Sequence, residues 1–306
     1  MEIYYQGKNI TDMVQVNSCI VRDTAAARCD GLEIEFGNAA GWYNWGPEED
    51  DQIVVSHGGY SSGIMYVNRI LPEDGRFRIL ASSLPCRARN REYKSFRSRT
   101  IEEIMRSCAI ASGMDFRIYG IDEKTVIPYV ERNNEGCAAF LYHILCLESA
   151  ALKCVNGRYT AIGYKYAYDL AAAQTIELSA SQEGARYRRD GTMYKGVLVK
   201  TPYAVGNAKD TAVPESHATL TVSGVLPAMN DIQAARWARG KLLFLNRRCE
   251  NVTIQSEFNA GITAMIRVNI TGNTDAAGEW LVDEVEHDLK NRKTLTTMRR
   301  CIRTIR

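Results

Sequence analysis

The residues of this 306-residue chain that could carry chemistry are four histidines, two acidic runs and nine cysteines. His57, His143, His217 and His287 show neither HExxH nor HxH spacing, and there is no GxSxG elbow and no GxxxxGKS loop. Ser56-His57-Gly58-Gly59 has the composition of an oxyanion-hole loop. Strand-like runs flank it and no nucleophile elbow exists to serve it, so a turn is expected. In Asp283, Glu284, Glu286 and His287, strand alternation puts Glu284 and Glu286 on one face and His287 on the Asp283 side. No acid–base pair converges there, and the expectation is a solvated strand face. Glu48-Glu49-Asp50-Asp51 follows Gly46-Pro47 and is expected to be an exposed acidic turn rather than a cation site. The cysteines (Cys19, Cys29, Cys86, Cys108, Cys137, Cys146, Cys154, Cys249 and Cys301) are odd in number, and no two sit at CxxC spacing. That excludes a zinc or redox framework and leaves reduced cysteines used as small core residues in a reducing compartment. The sequence therefore assigns no catalytic residue, no cofactor-binding residue and no metal ligand, and implies a protein that is not an enzyme.

One charge run needs weighing. Arg87, Arg89, Arg91, Lys94, Arg97 and Arg99 surround a single acid, Glu92, with Tyr93 and Phe96 interleaved. A nucleic-acid groove uses bases for phosphates and aromatics for stacking in this way. The whole chain, however, has Lys+Arg 38 against Asp+Glu 36, a net charge of +2, and no nucleic-acid module is recognisable. A polar connector between a β-domain and a helix, serving protein contacts, is the expectation.

The elements that must position these residues alternate between β and α character. Leu32, Ile34 and Phe36 alternate with Glu33 and Glu35, and residues 52–56, 64–70 and 77–81 are further short strand-like runs. Gly41, Gly46-Pro47, Gly58-Gly59 and Asp74-Gly75 punctuate them as turns, the last as a hairpin. Thr100-Ile101-Glu102-Glu103 is a capping box, followed by Ile101, Ile104, Met105 and Cys108 at helical spacing and by Gly113 as a stop. A second helix is predicted from about Asn134, with Cys137, Phe140, Leu141, Ile144, Leu145, Ala151 and Leu152 on one face, then a type I′ hairpin at Asn156-Gly157. From about Tyr166 the chain is expected to return to β. Residues 196–201, 219–225, 252–257, 263–271, 280–287 and 294–305 are strand-like, and one helix is capped by Asn230 with Ala234, Ala235, Ala238, Leu242 and Leu245 on a face.

Hydrophobic residues at 45% and charged residues at 24% exclude a disordered chain. The N-terminus lacks the basic patch and apolar run of a secretory signal. The longest apolar stretch, about 11 residues from Cys137 to Leu147 and broken by His143, is far short of a membrane span. The fold class expected is α+β, mainly β: two tube-like β-barrel or sandwich domains with an α/β insert between them. The boundaries fall at 1–92, 93–165 and 166–306. Gly63-x-x-x-Val67-x-x-Ile70 and Gly278-x-x-x-Val282-x-x-Val285 form a weak internal echo, each preceded by a strand and followed by a turn and strand.

The order of these motifs resembles the phage late control D (baseplate hub) family. The resemblance rests on residues 30–36, Gly41-Trp42-Tyr43-Asn44-Trp45-Gly46-Pro47, residues 50–53 and Ala81-Ser82-Ser83-Leu84-Pro85. It continues through Arg97-Ser98-Arg99-Thr100, the Phe140-Leu141 helix with its Asn156-Gly157 hairpin, and the closing Trp280-Leu281-Val282-Asp283-Glu284-Val285-Glu286-His287. It covers nearly the whole chain; the residues around Glu135-Gly136-Cys137-Ala138 depart from it in lacking a more acidic helix entry. Proteins of that kind are related to the myovirus hub and to the N-terminal part of VgrG spikes. The resemblance implies a structural homotrimer in which two β-modules per chain make a six-part ring between a sixfold tail tube and a threefold spike. Expected partners are further copies of the chain, a tail-tube or tail-end protein, a spike protein and a tape-measure protein, with no membrane and no specific nucleic acid. The expected location is the baseplate of a virion or phage-tail-like particle assembled in the bacterial cytoplasm. The rival functions are a tail-associated cell-wall hydrolase, and a nucleic-acid binder using residues 87–99.

Overall fold

A computed structural model describes all residues except 26–28, 38, 74, 180–183, 190 and 224–227. The alternation at Leu32, Ile34 and Phe36 becomes a strand whose apolar side chains are at most 3% exposed. Its outward Glu33 and Glu35 face Arg22, Arg76 and Arg78 at 3.5 to 3.8 Å. That strand is β4 (Gly31–Phe36) of a first β-module. The module also contains β1 (Glu2–Tyr5), β2 (Lys8–Asn9), β3 (Val16–Thr24), α1 (Ala39–Trp45), β5 (Gln52–His57), β6 (Tyr60–Ser61), β7 (Met65–Glu73) and β8 (Arg76–Ser82). Gly41, expected in a turn, lies instead inside α1. This short helix seats the Trp42 ring 4.1 Å from Phe36 and 5.6 Å from Phe77, and Gly46 ends it at φ +65°. Burying Trp42 outweighs the poor helix propensity of the glycine. Of the predicted Asp74-Gly75 hairpin, Asp74 lies outside the described residues.

The middle of the chain holds β9 (Glu92–Thr100), α2 (Ile101–Ser112), β10 (Asp115–Tyr119), β11 (Val126–Glu135), α3 (Cys137–Leu147), β12 (Ala150–Val155), β13 (Arg158–Gly163) and α4 (Tyr164–Asp169). The Thr100/Glu103 capping box forms in both directions, and Gly113 closes α2 in the left-handed region. The basic run is not a connector. A 3-10 turn spans Cys86–Arg89, and the rest is β9, paired antiparallel with β11 because Phe96 turns inward and stacks on Phe140 at 5.4 Å. Asn134 and Glu135 belong to β11, so the second helix starts three residues later than predicted. Ala151 and Leu152 lie in β12 rather than on that helix face. Asn156 and Gly157, at φ 51° and 69°, make the expected hairpin turn. The segment at Tyr166 is helix, not strand, with Tyr164, Ala167 and Tyr168 buried.

The last part contains β14 (Gln174–Glu177), β15 (Ala185–Arg189), β16 (Gly196–Lys200), β17 (Val205–Lys209), β18 (Thr219–Ser223), α5 (Asp231–Arg247), β19 (Glu250–Glu257), β20 (Arg267–Thr271), β21 (Gly278–Asp288) and β22 (Lys293–Arg300). The predicted strand at 263–271 begins only at Arg267, and Val225 is outside the described residues. Asn230 caps α5 by accepting the Gln233 N–H at 2.9 Å. The helix turns Ala234, Trp237, Ala238, Leu242 and Leu243 inward, leaving Ala235 exposed and Leu245 half-buried. Strands β16–β18 form a separate small sheet under α5. α5 crosses the end of α3 at Gly240, where any Cβ would come within 2.1 Å of the Leu147 carbonyl oxygen. One core cluster therefore runs from α2 and α3 through β12 and β13 to β16 and α5.

The two ends of the chain share one continuous sheet, ordered β15-β19-β22-β21-β3-β4-β8-β7-β5-β1-β2, with β20 on β21, β14 on β20 and β6 on β5. Within it one strand plan occurs twice. The strands β1, β3, β4, β5, β7 and β8 lie in the spatial order β1-β5-β7-β8-β4-β3. Taken in chain order, β14, β15, β19, β20, β21 and β22 take the same places, as β14-β20-β21-β22-β19-β15. The single difference is that β1 and β5 are antiparallel whereas β14 and β20 are parallel. The correspondence reaches individual hydrogen bonds. Val67 N–H donates to the Asp51 oxygen and Asp50 N–H to the Val67 oxygen, both at 2.9 Å; Val282 donates to Ile266 at 3.0 Å and Met265 to Val282 at 2.8 Å. Asp50 and Met265 both stand in the left-handed region, at φ 74° and 72°. Each central strand then carries a β-bulge at the same place, between Val67 and Arg69 and between Val282 and Glu284. The sequence echo marks this bulge.

Candidate functional site

The place where the two β-modules meet holds a cluster of buried and half-buried charged residues. Beyond its bulge, β21 leaves β20 and pairs with β3, Glu284 opposite Thr24 through Asp288 opposite Ile20. Asp283 is the extra residue of the bulge, which turns its carboxylate toward α5. There it lies 2.7 Å from Arg247, whose side chain is 4% exposed, and 3.5 Å from Arg299. Arg247 also stacks 4.1 Å over the Tyr164 ring. On the other face Glu286 accepts from Arg22 at 2.8 Å, across the β3–β21 joint. His287 is fully buried; its Nδ1 lies 3.1 Å from the Thr294 hydroxyl and its ring 4.3 Å from Tyr60. Burial pushes its pKa below the usual imidazole value. The residues expected to form a solvated strand face are thus fastened into the joint. The bulge also breaks the simple alternation that set His287 beside Asp283.

A second buried cluster was not legible in the sequence. Lys153 of β12 bonds to Asp23 at the end of β3 and lies 3.3 Å from Asp30 just before β4. Asp30 also accepts the Thr24 N–H at 2.9 Å, and Asp23 the Ala264 N–H at 3.2 Å. One lysine offsets one carboxylate. Burial therefore pushes Asp30 up despite Lys153, while the two aspartates, working against burial, hold Lys153 above its usual value. This triad ties the first module, the α/β layer and the loop before β20 together. Its only sequence signal is Asp23 at an inward register position of β3, after Cys19 and Val21.

The remaining candidates stay apart. Glu48–Asp51 is an exposed acidic turn whose carboxylates serve its own frame: Asp51 accepts from Glu48 N–H at 2.8 Å and from the Tyr5 hydroxyl, and Asp50 from Cys86 N–H at 2.7 Å. His57 ends β5 just before the Gly58-Gly59 turn, its ring 5.0 Å from Phe258. His143 is exposed beside Glu135 at 3.2 Å, and His217 bonds the Met193 carbonyl at 2.9 Å. All nine cysteines are free. Cys108 of α2 donates to Cys137 of α3, which together with Arg132 3.1 Å away pulls the buried Cys137 thiol down. Among the described residues no three His, Cys, Asp or Glu side chains are grouped to hold a metal. No helix there is long and apolar enough to cross a membrane.

The basic run faces an open groove of about 690 Å³ between β9 and α2, lined by Lys94, Arg97, Arg99 and Arg106. Arg99 pairs with Glu103 at 2.9 Å, Arg106 with Glu102, and Lys94 bonds Ser107 at 2.8 Å. Two of these four cations are thus paired with acids of α2, and Lys94 is bonded to a hydroxyl. A second, largely apolar groove of about 440 Å³ lies between β11, α3 and α5, lined by Val130, Phe140 and Phe244 among others. The apolar groove also carries Glu135 and His143, 3.2 Å apart at its solvent-exposed rim.

No protein-family profile and no curated protein matches this chain. Its fold is matched among solved structures. The 43 kDa tail protein of prophage MuSo2 from Shewanella oneidensis aligns with a TM-score of 0.73 at 12% identity, over 97% of both chains. The tail protein from Neisseria meningitidis MC58 aligns with a TM-score of 0.75 at 11% identity, over 98% of this chain and 95% of that one. The E. coli c3393 protein, described as a component of the type VI secretion system, aligns with a TM-score of 0.60 at 11% identity, over 97% of this chain and 76% of that one. At these identities the shared property is the fold, which is that of phage tail proteins.

Proposed function

We propose that the chain is a structural hub of a phage baseplate or phage-tail-like particle: three copies form a ring of six β-modules between a sixfold tail tube and a threefold spike. The observation that carries this reading is the repeated strand plan, with its matched bulges and matched left-handed residues, inside a fold shared with tail proteins over almost the full chain. A single step already joins one module to the next within the chain through β3 and β21, and repeating it across chains would cover the open edge of β15 and the unpaired part of β7. On this reading residues 1–92 and 166–306 supply the tube-like modules and 93–165 the insert. The neighbours are the tail-tube or tail-end protein, the spike and the tape-measure protein, at the baseplate. Its role is mechanical, without catalysis.

The test is the mass of the protein alone at high concentration and after co-expression with the spike protein of its own particle. Three times the 34.3 kDa of one chain is expected, and a species that stays single-chain in both settings overturns the reading. The basic groove favours a rival, DNA binding, which predicts retention on DNA that falls steeply with salt. The internal ion pairs of that groove argue against it. A hydrolase would clear peptidoglycan, and inactivity in that assay is expected.

A further inference from the structure

Resting on the ring reading above, we infer that the ring is closed by antiparallel pairing of strand β15 of one chain with the distal half of β7, Arg69–Glu73, of the next, in a register the chain itself specifies. The template is the β3–β21 joint. Duplication maps β3 onto β15 and the distal half of β21 onto the distal half of β7. Among the described residues those two segments have no strand on their outer side: β15 pairs only with β19, and β7 meets β5 only at Met65 and Tyr66, before the bulge. The chain therefore ends in two halves of the joint it also contains whole. Because the two halves differ, the contact between copies is head-to-tail, the kind that makes a ring when its rotation closes.

The register follows by carrying each ladder across the duplication. Val67 opposite Ala81 corresponds to Val282 opposite Met298, and Leu32 opposite Ala81 to Val252 opposite Met298. Val21 opposite Leu32 then corresponds to Tyr187 opposite Val252. Arg22 maps to Arg188, and Glu286 and His287 map to Leu71 and Pro72. The inferred pairs are Ile70 with Arg189, Leu71 with Arg188, Pro72 with Tyr187 and Glu73 with Arg186.

Two independent details agree with this register. In the template, Leu289 N–H to the Cys19 oxygen at 2.9 Å and Ala25 N–H to the Asp283 oxygen at 3.0 Å bracket the ladder. Antiparallel alternation then makes Val21–His287 and Asp23–Val285 the hydrogen-bonded pairs. On β15, Gln255 N–H donates to the Gly184 oxygen at 2.8 Å, so alternation points the backbone groups of Ala185, Tyr187 and Arg189 outward, the counterparts of Cys19, Val21 and Asp23. The second detail is the faces. Ala185 and Tyr187 pack on the core of their module as Cys19 and Val21 do on theirs, and Ile70 packs on the first-module core. Pairing would extend one apolar layer from chain to chain. Pro72 stands at an outward position of β7, where an edge strand tolerates its missing N–H. The joint between chains thus has one hydrogen bond fewer than the joint within the chain.

The test is a disulfide across the non-hydrogen-bonded pair Leu71–Arg188, where opposing Cα atoms stand about 4.5 Å apart, within disulfide reach. The double variant Leu71→Cys, Arg188→Cys is oxidised mildly in the trimeric fraction and run on a non-reducing gel, beside the parent chain and both single variants. Cross-linked species that end at three chains and collapse on reduction are expected. Leu71→Cys with Tyr187→Cys, whose side chains fall on opposite faces, is expected to stay uncross-linked. A trimer in which the first pair does not cross-link, or the second pair does, overturns the register and leaves the ring reading standing. Ladders growing past three chains support the pairing and overturn the closed trimer. A chain that never leaves single-chain mass overturns both.

Discussion

Replacing Lys153 with methionine tests whether the triad with Asp23 and Asp30 is a buried charge cluster that holds the modules together. The side chains of Lys153, Asp23 and Asp30 are 13%, 8% and 3% exposed, so little water can replace the lost ammonium. Removing one partner of a buried pair typically costs about 3–5 kcal/mol. The same magnitude follows from protons. Without Lys153 the two carboxylates must hold one more proton than in the wild type. Keeping a carboxyl of ordinary pKa 3.8 protonated at pH 7 costs about 1.36 kcal/mol for each of roughly three pH units, near 4 kcal/mol in all. The sign follows from where the proton sits. The folded variant holds it and the unfolded chain releases it, so the unfolded state binds fewer protons and the stability lost relative to wild type grows as pH rises. Between pH 5 and pH 7 the gap between variant and wild type should widen, by at most about 3 kcal/mol. Urea unfolding of both chains at the two pH values measures this. The double variant Lys153→Met, Asp23→Asn removes both charges and should recover most of the loss. A single-variant loss under about 1 kcal/mol, equal at both pH values, would refute a charge cluster sealed from water.

Two other outcomes follow from the joint and a third from the core of the first module. Burial holds the pKa of His287 below its usual 6.5, so its contribution is complete above that pH and is lost as pH falls below it. Relative to a His287→Gln chain, the wild type should lose stability below pH 6.5 in thermal melts, and parallel pH profiles would contradict this. Deleting Asp283 takes out the unpaired residue of the bulge and leaves Val285 and His287 facing inward, but it removes the bend that frees the distal half of β21 for β3 and the carboxylate that Arg247 binds. The variant should unfold at lower urea than Asp283→Asn, which keeps the bulge and should fold with a loss of about 3–5 kcal/mol from the unpaired Arg247. Trp42→Ala empties the aromatic cluster under α1 and should cost about 3–5 kcal/mol, read from the urea midpoint.

Local chemistry was legible in the sequence wherever a few neighbouring residues decide the structure. The Thr100/Glu103 box, the Asn230 cap, the left-handed Gly113 and the Asn156-Gly157 turn each satisfy backbone groups within a few positions, and all four formed. Elements set by distant packing were misjudged. Gly41 signals a turn until Trp42 needs a helix to reach Phe36 and Phe77. Residues 92–100 resemble a connector until β11 arrives to pair with them. Lys153, Asp23 and Asp30 come from strands far apart in the chain, and no periodicity announces that they converge. In Asp283 to His287 a solvated face was expected, because one extra residue in the strand was invisible to an alternation argument.

The weakness of the internal echo has a physical explanation that bears on what the chain is built to do. A β-module constrains its inward positions only to be apolar and of suitable volume, so Ile34 and Ile254 persist while Ala81 and Met298 drift. What both modules retain is costly. A non-glycine residue held at positive φ costs about 1–3 kcal/mol, and the chain accepts that cost at Asp50 and at Met265 to set the same pair of hydrogen bonds ahead of the same bulge. The bulge divides the central strand. Its proximal half stays with β5 or β20, and its distal half is freed to take a partner from another module. In β21 that partner is β3 of the same chain. Strain conserved between two copies that share almost no side chains is better explained by what the freed half-strand must do than by the stability of either module alone.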